Sequence, residues 1–518
     1  MFTYILRRIS IAIVILLGST FLVYQLEANS ADPLEALNTS SDPRVEQQKL
    51  ALIRSLDLNT PSPLRYFKWL GGVLKIFIGQ PDFGKSRDSH SVIEILGIAI
   101  PTTVRLVISA TVLAIVVGIT IGVITALRQY SRFDYAITFI SFLFFSLPVF
   151  WIAVLLKQFL AIQANPWLLD PVIEWPFILG LSVFAGLFWG GVLGGTLKRT
   201  LTVFAVAAGA TAVVLELISL TRWFANPVLG PVFILVMGAT LAVLVTLGST
   251  GLNNRPALMA SGTMVLLGVV LYFPLNAFVF TKDFSNLYAL GLLVLTVGAG
   301  LLAGWFFAKE DRGAVMRTSA LTAVLVALLI YYDRIVQTWV PYSSSSDING
   351  WPIPTTGEAN TLLQNTLAEN PDYWMSTIDS LLHLVLPTIA LVLLSFAGYV
   401  RYTRGSLLEV LNMDYIRTAR AKGLSERTVI MRHAFRNALI PLATLVAWDF
   451  AGIVGGAIIT ESVFGWYGMG NYFRQAISTF DLNLLMGVSL VTSFMVLMAN
   501  LLADVVYGAL DPRIRVGS

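Results

Sequence analysis

The stretch Tyr415–Pro441, YIRTARAKGLSERTVIMRHAFRNALIP, decides the fold of this chain, because it is a strongly basic and amphipathic island between apolar segments. We call it the basic segment. Its cations are opposed within the stretch by Glu426 alone, and they are Arg417, Arg420, Lys422, Arg427, Arg432 and Arg436. A region this charged, in a chain this apolar, must contact something other than lipid tails.

The composition around the basic segment indicates a membrane protein. Hydrophobic residues make up 56% of the chain and charged residues 12%, and the mean hydropathy is +0.76. We therefore expect an all-α polytopic membrane protein. The absence of Cys excludes disulfides and thiol catalysis. Three histidines, His90, His383 and His433, show no ligand spacing, so we expect no metal site and no cofactor.

Apolar runs near the length of about twenty residues that crosses a bilayer predict twelve spans. Arg7 and Arg8 precede the first run as in a signal peptide, but no good cleavage site follows, so we expect a retained helix. The predicted spans are 9–26, 103–127, 135–162, 176–196, 200–220, 227–249, 257–280, 286–308, 314–332, 382–400, 438–460 and 484–508.

The distribution of Lys and Arg predicts the orientation, because these residues concentrate in short cytoplasmic loops. With the N-terminus in the cytoplasm, the basic residues of 401–437 fall inside, and an even number of spans returns the C-terminus to the cytoplasm. The segments 28–100 and 333–381 then fall outside. The second is rich in Ser, Asn, Pro and Gly, which predicts a loop.

The segment Gly79–Ser86, GQPDFGKS, satisfies a nucleotide-binding pattern in which backbone amides cradle phosphates. It lies on the face assigned outside, and no alternating strand and helix domain surrounds it. We therefore predict a surface turn and no ATPase activity in this chain.

Two interpretations of the basic segment are open. It is either a loop resting on anionic headgroups or a docking element for a protein partner. The pattern favours docking, because Thr418 and Ala419 suit a short helix that Gly423 ends in left-handed geometry. Ser425 then caps a second helix beginning near Glu426.

The run RTARAKGLSERTVIMRHAFRNALIP resembles the coupling loop of ATP-binding cassette (ABC) transporter permeases of the oligopeptide, dipeptide and nickel importer family. Other stretches agree in order over about 1–162 and 381–515. They are YILRRI, KWLGGVLK, DFGKS, IPTTVRL, SLPVFWIAVLL, HLVLPTIAL, GGAIITESVFGWYGMG and NLLADVVYGALDPRIR.

The resemblance implies a six-helix type I importer core that moves peptides or similar solutes across a bacterial or archaeal cytoplasmic membrane. It also implies the partners: a second permease chain, two cytoplasmic ATPase subunits, an extracytoplasmic solute-binding protein and the lipid bilayer, with no nucleic acid. Nickel chelates, glutathione and oligosaccharides remain alternative cargoes. The expected ATPase-coupling residues are Arg417, Thr418, Ala419, Arg420, Lys422, Gly423, Leu424 and Pro441. Where the broader family has Glu-Ala-Ala, this chain has Arg417, Thr418 and Ala419.

The resemblance also divides the chain and isolates an insertion. The expected parts are a first helix 1–27, an extracytoplasmic segment 28–100, core parts 101–162 and 381–510, an inserted region 163–380 of about six helices, and a cytoplasmic tail 511–518. An even number of inserted spans keeps the loop 401–437 in the cytoplasm. The insertion is either a peripheral bundle or a second substrate path or sensor.

Ionisable residues within spans are candidates for substrate contact, because burying a charge in lipid is costly. Asp449 lies halfway along 438–460 beside Trp448. It suits either a pathway residue that meets a peptide's amino group or a helix-packing hydrogen bond. Glu461–Gly470 forms a corner that we expect to seal the pathway on the outer side. We call it the Glu461 corner.

Two other classes of function predict different sequence features from an importer subunit. A stand-alone carrier or channel predicts an internal repeat with buried charges in both halves, and the sequence has none that we recognise. An intramembrane enzyme needs a nucleophile and base or a metal cluster, and the sequence offers neither in a recognisable pattern.

Overall fold

The structure, a computed structural model, describes residues 2–30, 34, 45–309 and 311–510, and the regular elements in these ranges are all helices. An isolated bridge between Lys85 and Ser91 is the one strand-like pairing found there. The predicted tail 511–518 lies outside the described residues. The fold class predicted from the sequence, an all-α polytopic membrane protein, is confirmed.

The chain divides into two compact units, and unit 1 contains Met1–Gln158, Thr356–Glu358 and Leu384–Ser518. Its helices are α1 (Phe2–Ser30), α2 (Val45–Ser55), α3 (Ser62–Leu74), α4 (Val92–Leu127), α5 (Arg132–Ser146), α6 (Val149–Lys157), the part of α16 (Tyr373–Leu411) from Leu384 on, α17 (Asp414–Ala421), α18 (Glu426–Thr428), α19 (Phe435–Phe464), α20 (Met469–Thr479) and α21 (Leu482–Leu510).

Unit 2 contains Phe159–Thr355 and Ala359–His383. Its helices are α7 (Ala164–Leu169), α8 (Trp175–Leu193), α9 (Leu197–Leu220), α10 (Gly230–Ser249), α11 (Arg255–Pro274), α12 (Asn286–Phe307), α13 (Arg312–Gln337), α14 (Trp339–Ser343), α15 (Thr361–Glu369) and the first turns of α16. Asn254 and Asn360 start α11 and α15, because their side chains accept hydrogen bonds from backbone N–H groups of the first turn.

Eleven helices in the described ranges are long and apolar enough to cross a membrane. Each overlaps one of the twelve predicted segments, and six of them run between Trp175 and Ser343, as predicted for the insertion. The remaining predicted segment, 438–460, lies within α19, a helix of 30 residues.

The prediction of one continuous span at 135–162 is wrong. The helix breaks at Leu147, which has an extended backbone (φ −84°, ψ 129°), and α6 starts after Pro148. The ring of a proline disfavours the helical conformation for the preceding residue and suits the start of a helix, so Pro148 marks the end of α5 and the start of α6. The candidate span here is Val149–Leu169.

The prediction that 333–381 is a loop is also wrong in part. Helix α13 continues to Gln337, α15 covers Thr361–Glu369, and α16 begins at Tyr373. The helical extension of α13 is held by Asp333, a fully buried carboxylate. It accepts hydrogen bonds from the backbone N–H groups of Leu229 and Gly230 at the start of α10.

Close helix packing in each unit uses a pair of glycines four residues apart. On α4, a Cβ at Gly118 or Gly122 would collide with Tyr399 or Thr403 of α16. On α12, a Cβ at Gly300 or Gly304 would collide with the backbone of α13. Small residues at this spacing let two helix backbones approach closely within a membrane.

Candidate functional site

The basic segment folds as a helix, a glycine turn and a second helix, as predicted. Helix α17 ends at Ala421, and Gly423 takes a left-handed backbone with φ +75°. Ser425 then caps α18, because its hydroxyl accepts a hydrogen bond from the N–H of Thr428. A π-helical turn, Val429–Ala434, joins α18 to α19. The predicted local geometry is therefore confirmed.

The inner face of the basic segment is a small apolar cluster. Side chains from α17 and the following helices pack with the C-terminal end of α4 and the last turns of α16. The buried members are Ala126, Leu407, Ile416, Ala419, Val429, Ala434 and Ala438. This cluster anchors α17 to three long helices of unit 1, so a force applied to α17 is transmitted to them.

Ala419 belongs to this inner face and not to the outer surface. Its exposure is 7%, and it packs in the cluster with Ile416. An alanine at this position allows α17 to approach its support closely. Ala419 is therefore buried beneath the other predicted coupling residues of α17 and the glycine turn, which are exposed.

Hydrogen bonds connect the basic segment to its supporting helices. The Ser406 hydroxyl of α16 donates to the carbonyl of Ala438 in α19 at 3.0 Å. The Asn437 side chain of α19 donates to the Tyr415 hydroxyl of α17 at 2.8 Å. These contacts fix α17 relative to α16 and α19, in addition to the apolar cluster.

An ion pair closes the glycine turn. The Arg420 guanidinium donates to both carboxylate oxygens of Glu426, with Nη2 to Oε1 at 2.6 Å and Nε to Oε2 at 3.1 Å. This hydrogen bond from Arg420 lowers the pKa of the Glu426 carboxyl. Both side chains are about half exposed, so the pair orders the turn more than it stabilises the fold.

The outward surface of the basic segment combines cations with apolar side chains. Leu424, at the tip of the turn, is 41% exposed, and Met431 is 46% exposed. The predicted coupling residues other than Ala419 are all exposed, and they are Arg417, Thr418, Arg420, Lys422, Gly423, Leu424 and Pro441. A basic surface with exposed apolar side chains is suited to a protein partner.

A buried ion pair supports α16 near the basic segment. Arg404 Nε and Nη2 donate to the two carboxylate oxygens of Asp134 at 2.7 and 2.8 Å, and Asp134 is buried in α5. Bidentate pairing of this kind fixes both position and orientation. The Arg401 guanidinium, one turn away, lies 4.8 Å from the ring centre of Phe145.

Asp449 lies within α19 near Tyr399 and Ser395 of α16. Its Oδ2 atom is buried and makes no hydrogen bond of good geometry with the described residues, and the same holds for the Tyr399 hydroxyl. An unpartnered buried carboxylate oxygen is unusual. Trp448 lies in the same helix, directly before Asp449, but its side chain is outside the described part of the structure.

Glu461 is fully buried at the other end of α19. Its carboxylate accepts hydrogen bonds from the Thr103 hydroxyl of α4 at 2.6 Å and from the Asn471 N–H in the first turn of α20 at 3.0 Å. The Thr103 hydroxyl in turn accepts from the N–H of Met469 at 2.7 Å. Glu461 therefore holds α4, α19 and α20 together. Its position at the N-terminus of α20 is favourable because a helix N-terminus attracts negative charge.

The segment GQPDFGKS forms a packed turn. Phe83 is buried, its carbonyl accepts from the Trp69 indole N–H at 3.3 Å, and the Lys85 carbonyl accepts from the Asn483 side chain at 2.9 Å. The next helix begins only at Val92. A phosphate-binding loop leads directly into a helix at its Lys and Ser, so this geometry supports a structural turn.

Three carboxylates with structural roles were not singled out from the sequence. Asp333 anchors the start of α10, and Asp379 is fully buried and accepts from the Tyr342 hydroxyl and the Asn360 N–H, both at 3.0 Å. Glu358 contacts Thr102. Each partner is distant in sequence, so no local motif marks these residues.

Comparison with known proteins identifies the family. Residues 314–516 match the model of the binding-protein-dependent transport system inner membrane component. The matched range contains both the basic segment and the Glu461 corner.

Individual relatives agree with this family match. The chain is similar to the oligopeptide transport system permease protein OppB of Mycobacterium tuberculosis, with 38% identity over 238 residues, 45% of this chain and 69% of the relative. It is 44% identical over 138 residues to the dipeptide transport system permease protein DppB of Escherichia coli, covering 27% and 41% of the two chains.

A third relative aligns end to end. The oligopeptide transport system permease protein AppB of Bacillus subtilis is 24% identical over 518 residues, covering 99% of both chains. The chain therefore belongs to the family of binding-protein-dependent transport system inner membrane components, and it is a transmembrane permease subunit of an ABC importer.

Proposed function

We propose that this subunit moves peptides across a cytoplasmic membrane, and that separate ATPase subunits drive it by docking on the basic segment. The observation that carries the docking proposal is the two-sided construction of this segment. Its exposed side is basic with Leu424 at the tip, and its other side is an apolar cluster on three long helices. Peptide cargo is proposed from the names of the relatives OppB, AppB and DppB.

The contact surface that we propose consists of the exposed residues of the basic segment. Arg417, Lys422 and Leu424 extend away from the supporting cluster, so a partner reaches them without displacing the fold. Ala419 contributes from below, by allowing α17 to lie close to α4 and α16. Basic side chains give orientation and association rate, while the apolar tip gives contact area.

Movement of the ATPases reaches the membrane helices through the supports of α17. The apolar cluster, the Tyr415–Asn437 hydrogen bond and the Ser406–Ala438 hydrogen bond join α17 to α16 and α19. Packed interfaces of this kind shift between discrete arrangements and do not deform continuously. We infer that α17 moves together with the ends of α4, α16 and α19 during transport.

The proposed orientation places the basic segment and both termini in the cytoplasm and the Glu461 corner outside. The positive-inside rule supports this orientation, because the cations of 401–437 then lie on the cytoplasmic side. A solute-binding protein would deliver cargo at the Glu461 corner, and a second permease chain would complete the pathway.

Asp449 is the residue that we propose to face the pathway. One buried oxygen of its carboxylate makes no hydrogen bond of good geometry with the described residues, although Tyr399 and Ser395 lie beside it, and a peptide's amino group would bond to it. Trp448 remains a proposal from the sequence alone. Glu461 would act on the pathway indirectly, by holding the corner together, because its carboxylate is already bonded to Thr103 and Asn471.

Unit 2 is proposed to be a structural bundle that adds to the permease core. Six candidate spans between Trp175 and Ser343 make up most of it, and its buried carboxylates Asp333 and Asp379 are satisfied by internal hydrogen bonds. Satisfied carboxylates support a structural role over a second substrate path.

Two glycines allow a matched test of the docking proposal. Gly423 and Gly79 have φ of +75° and +74°, and a Cβ would meet no atom within 4 Å at either position. The substitutions Gly423→Val and Gly79→Val therefore impose similar backbone strain at two different turns. The complex with the ATPases, the second permease and the binding protein is reconstituted in vesicles, and ATP-driven peptide uptake is measured.

We expect Gly423→Val to reduce uptake at least tenfold while the chain still folds, and Gly79→Val to retain most of the uptake. Equal uptake by the two variants would contradict docking at the basic segment. A stand-alone carrier would instead accumulate peptide without the ATPase subunits.

A further inference from the structure

A short strap from within the predicted insertion lies on the permease core. Residues Thr356–Glu358, which we call the strap, group with unit 1 although the chain on both sides groups with unit 2. The Gly357 N–H donates to the carbonyl of Phe464, the last residue of α19, at 2.8 Å. The strap is thus hydrogen-bonded through Gly357 to the last residue of α19.

Glu358 joins the strap to α4. Its Oε2 atom accepts a hydrogen bond from the Thr102 hydroxyl at 2.7 Å and lies 3.5 Å from Nη2 of Arg105. The Arg105 guanidinium also lies 5.2 Å from the ring centre of Trp466, a fully buried residue of the Glu461 corner. Arg105 is therefore held between the strap and the corner.

Two neighbouring threonines of α4 make parallel connections. Thr103 donates to Glu461, which belongs to the core, and Thr102 donates to Glu358, which belongs to the strap. The strap thus duplicates a connection that the core already has. A permease without the inserted residues would retain only the Thr103 connection.

The two connections differ in exposure. Glu461 is fully buried, whereas the side chains of Glu358 and Arg105 are 30% and 40% exposed. A partly exposed ion pair is weak and is screened by salt, and water replaces its bonds when it opens. When a buried carboxylate loses its hydrogen bonds, no water is present to replace them. The strap connection is therefore the one suited to repeated opening.

We propose that the strap is a latch, in which Glu358 holds Thr102 and Arg105 of α4 against the Glu461 corner and releases them when the pathway opens at that end. The proposal rests on the proposed function, because it requires a pathway that ATP opens and closes. Glu358 is a positioning residue in this scheme and does not touch the cargo.

The first test removes the latch contact in the complete complex. Glu358→Ala is compared with Glu369→Ala, which changes an exposed glutamate of α15. We expect Glu358→Ala to raise ATP hydrolysis at least threefold in the absence of the solute-binding protein, because the corner then opens without contact with that protein. Glu369→Ala should match the parent chain. Equal hydrolysis by the two variants would overturn the proposal.

The second test fixes the strap to the corner covalently and leaves the contact between Glu358 and α4 free to open; the absence of Cys in this chain makes this simple. A Cβ placed on Gly465 would lie 3.5 Å from the Cβ of Thr356, within the range of a disulfide of roughly 3.5–4.5 Å. We expect Thr356→Cys/Gly465→Cys to cross-link on oxidation and to retain most of its uptake, because the latch opens between Glu358 and α4 while the strap stays on the corner.

The outcomes of the second test separate the possible failures. Gly465→Ala controls for strain at this left-handed position (φ +65°), and each single Cys variant controls for oxidation elsewhere. Failure to cross-link would overturn the latch, and so would a loss of at least 90% of the uptake that reduction restores, because the strap would then have to leave the corner. Absence of ATP-driven uptake by the parent complex would instead contradict the proposed function.

Discussion

The basic segment lies at the start of α19 and the Glu461 corner lies at its end. The two regions distribute charge in opposite ways. The basic segment has apolar residues such as Ile416 and Val429 inside and its cations outside. The corner has a carboxylate inside, bonded to Thr103 and Asn471. The corner's buried carboxylate is satisfied within the chain, whereas the exposed side of the basic segment is available to a partner.

This difference explains how a permease subunit can use charge at both ends of one helix. A buried carboxylate with complete hydrogen bonds fixes the arrangement of α4, α19 and α20. Exposed cations contribute little to folding, and they are free to select and orient a partner. Substitutions in the corner should therefore change stability, and substitutions on the surface of the basic segment should change association.

The largest effect is expected for Glu461→Ala. The substitution leaves the Thr103 hydroxyl and the Asn471 N–H buried without their acceptor, and each such group costs about 1–3 kcal/mol. We expect a loss of about 3 kcal/mol or more in the free energy of unfolding, measured by thermal unfolding in detergent. An unchanged melting temperature would show that the corner does not depend on this carboxylate.

A smaller loss is expected for Ile416→Ala beneath the basic segment. Ile416 is fully buried in the apolar cluster, and truncation of such a side chain costs about 2–4 kcal/mol. Because α17 loses its support, ATP-driven uptake should fall along with the melting temperature. The matched control is Met431→Ala, which removes an exposed side chain of the same segment. Equal melting temperatures for the two variants would contradict the packing of Ile416 in the apolar cluster.

Leu424→Glu should affect association and leave stability unchanged. The side chain is exposed at the tip of the glycine turn, so a charge there is hydrated in the free chain. In the complex it would be buried against the ATPase, and we expect about tenfold weaker binding, or about 1.4 kcal/mol. The dissociation constant and the melting temperature are both measured. Unchanged binding would remove Leu424 from the proposed contact surface.

The smallest effect is expected for Glu426→Gln, which breaks the exposed pair with Arg420. The hydrogen bond from Arg420 lowers the pKa of Glu426 in the folded chain. The pair therefore stabilises the turn above the unfolded pKa of about 4.3, and this contribution is lost as the pH falls through the lowered folded value. The melting temperatures of the parent and the variant should differ slightly at pH 7 and converge in acid. A difference in melting temperature that grows in acid would contradict the stabilising role of the Arg420–Glu426 pair.

The local structure of the basic segment could be predicted because its signals are close together in sequence. Gly423 and Ser425 each act on neighbouring residues, and the structure confirms both roles. The spans could be predicted from apolar length, but the break at Leu147 was missed, although Pro148 marks it. Hydrophobicity alone does not register a proline within an apolar run.

The contacts that were missed join residues far apart in the chain. Glu358 meets Arg105 and Thr102 of α4, yet it stands in a polar segment with no motif. Asp333 looks like the end of a span in the sequence, and only its contact with the start of α10 reveals why it is buried. The burial of Ala419 depends on α4 and α16, so helical spacing within α17 could not establish it.

The most direct test of the account is a cross-link between this chain and an ATPase subunit. The chain has no native Cys, so Leu424→Cys carries a single thiol to which a photoactivatable cross-linker is attached in the assembled complex. Phe77→Cys, at a position 84% exposed in the segment assigned to the opposite side, is the control. Docking at the basic segment predicts an adduct with the ATPase from position 424 and none from position 77. An adduct from position 77, or none from position 424 in an active complex, would contradict docking at the basic segment.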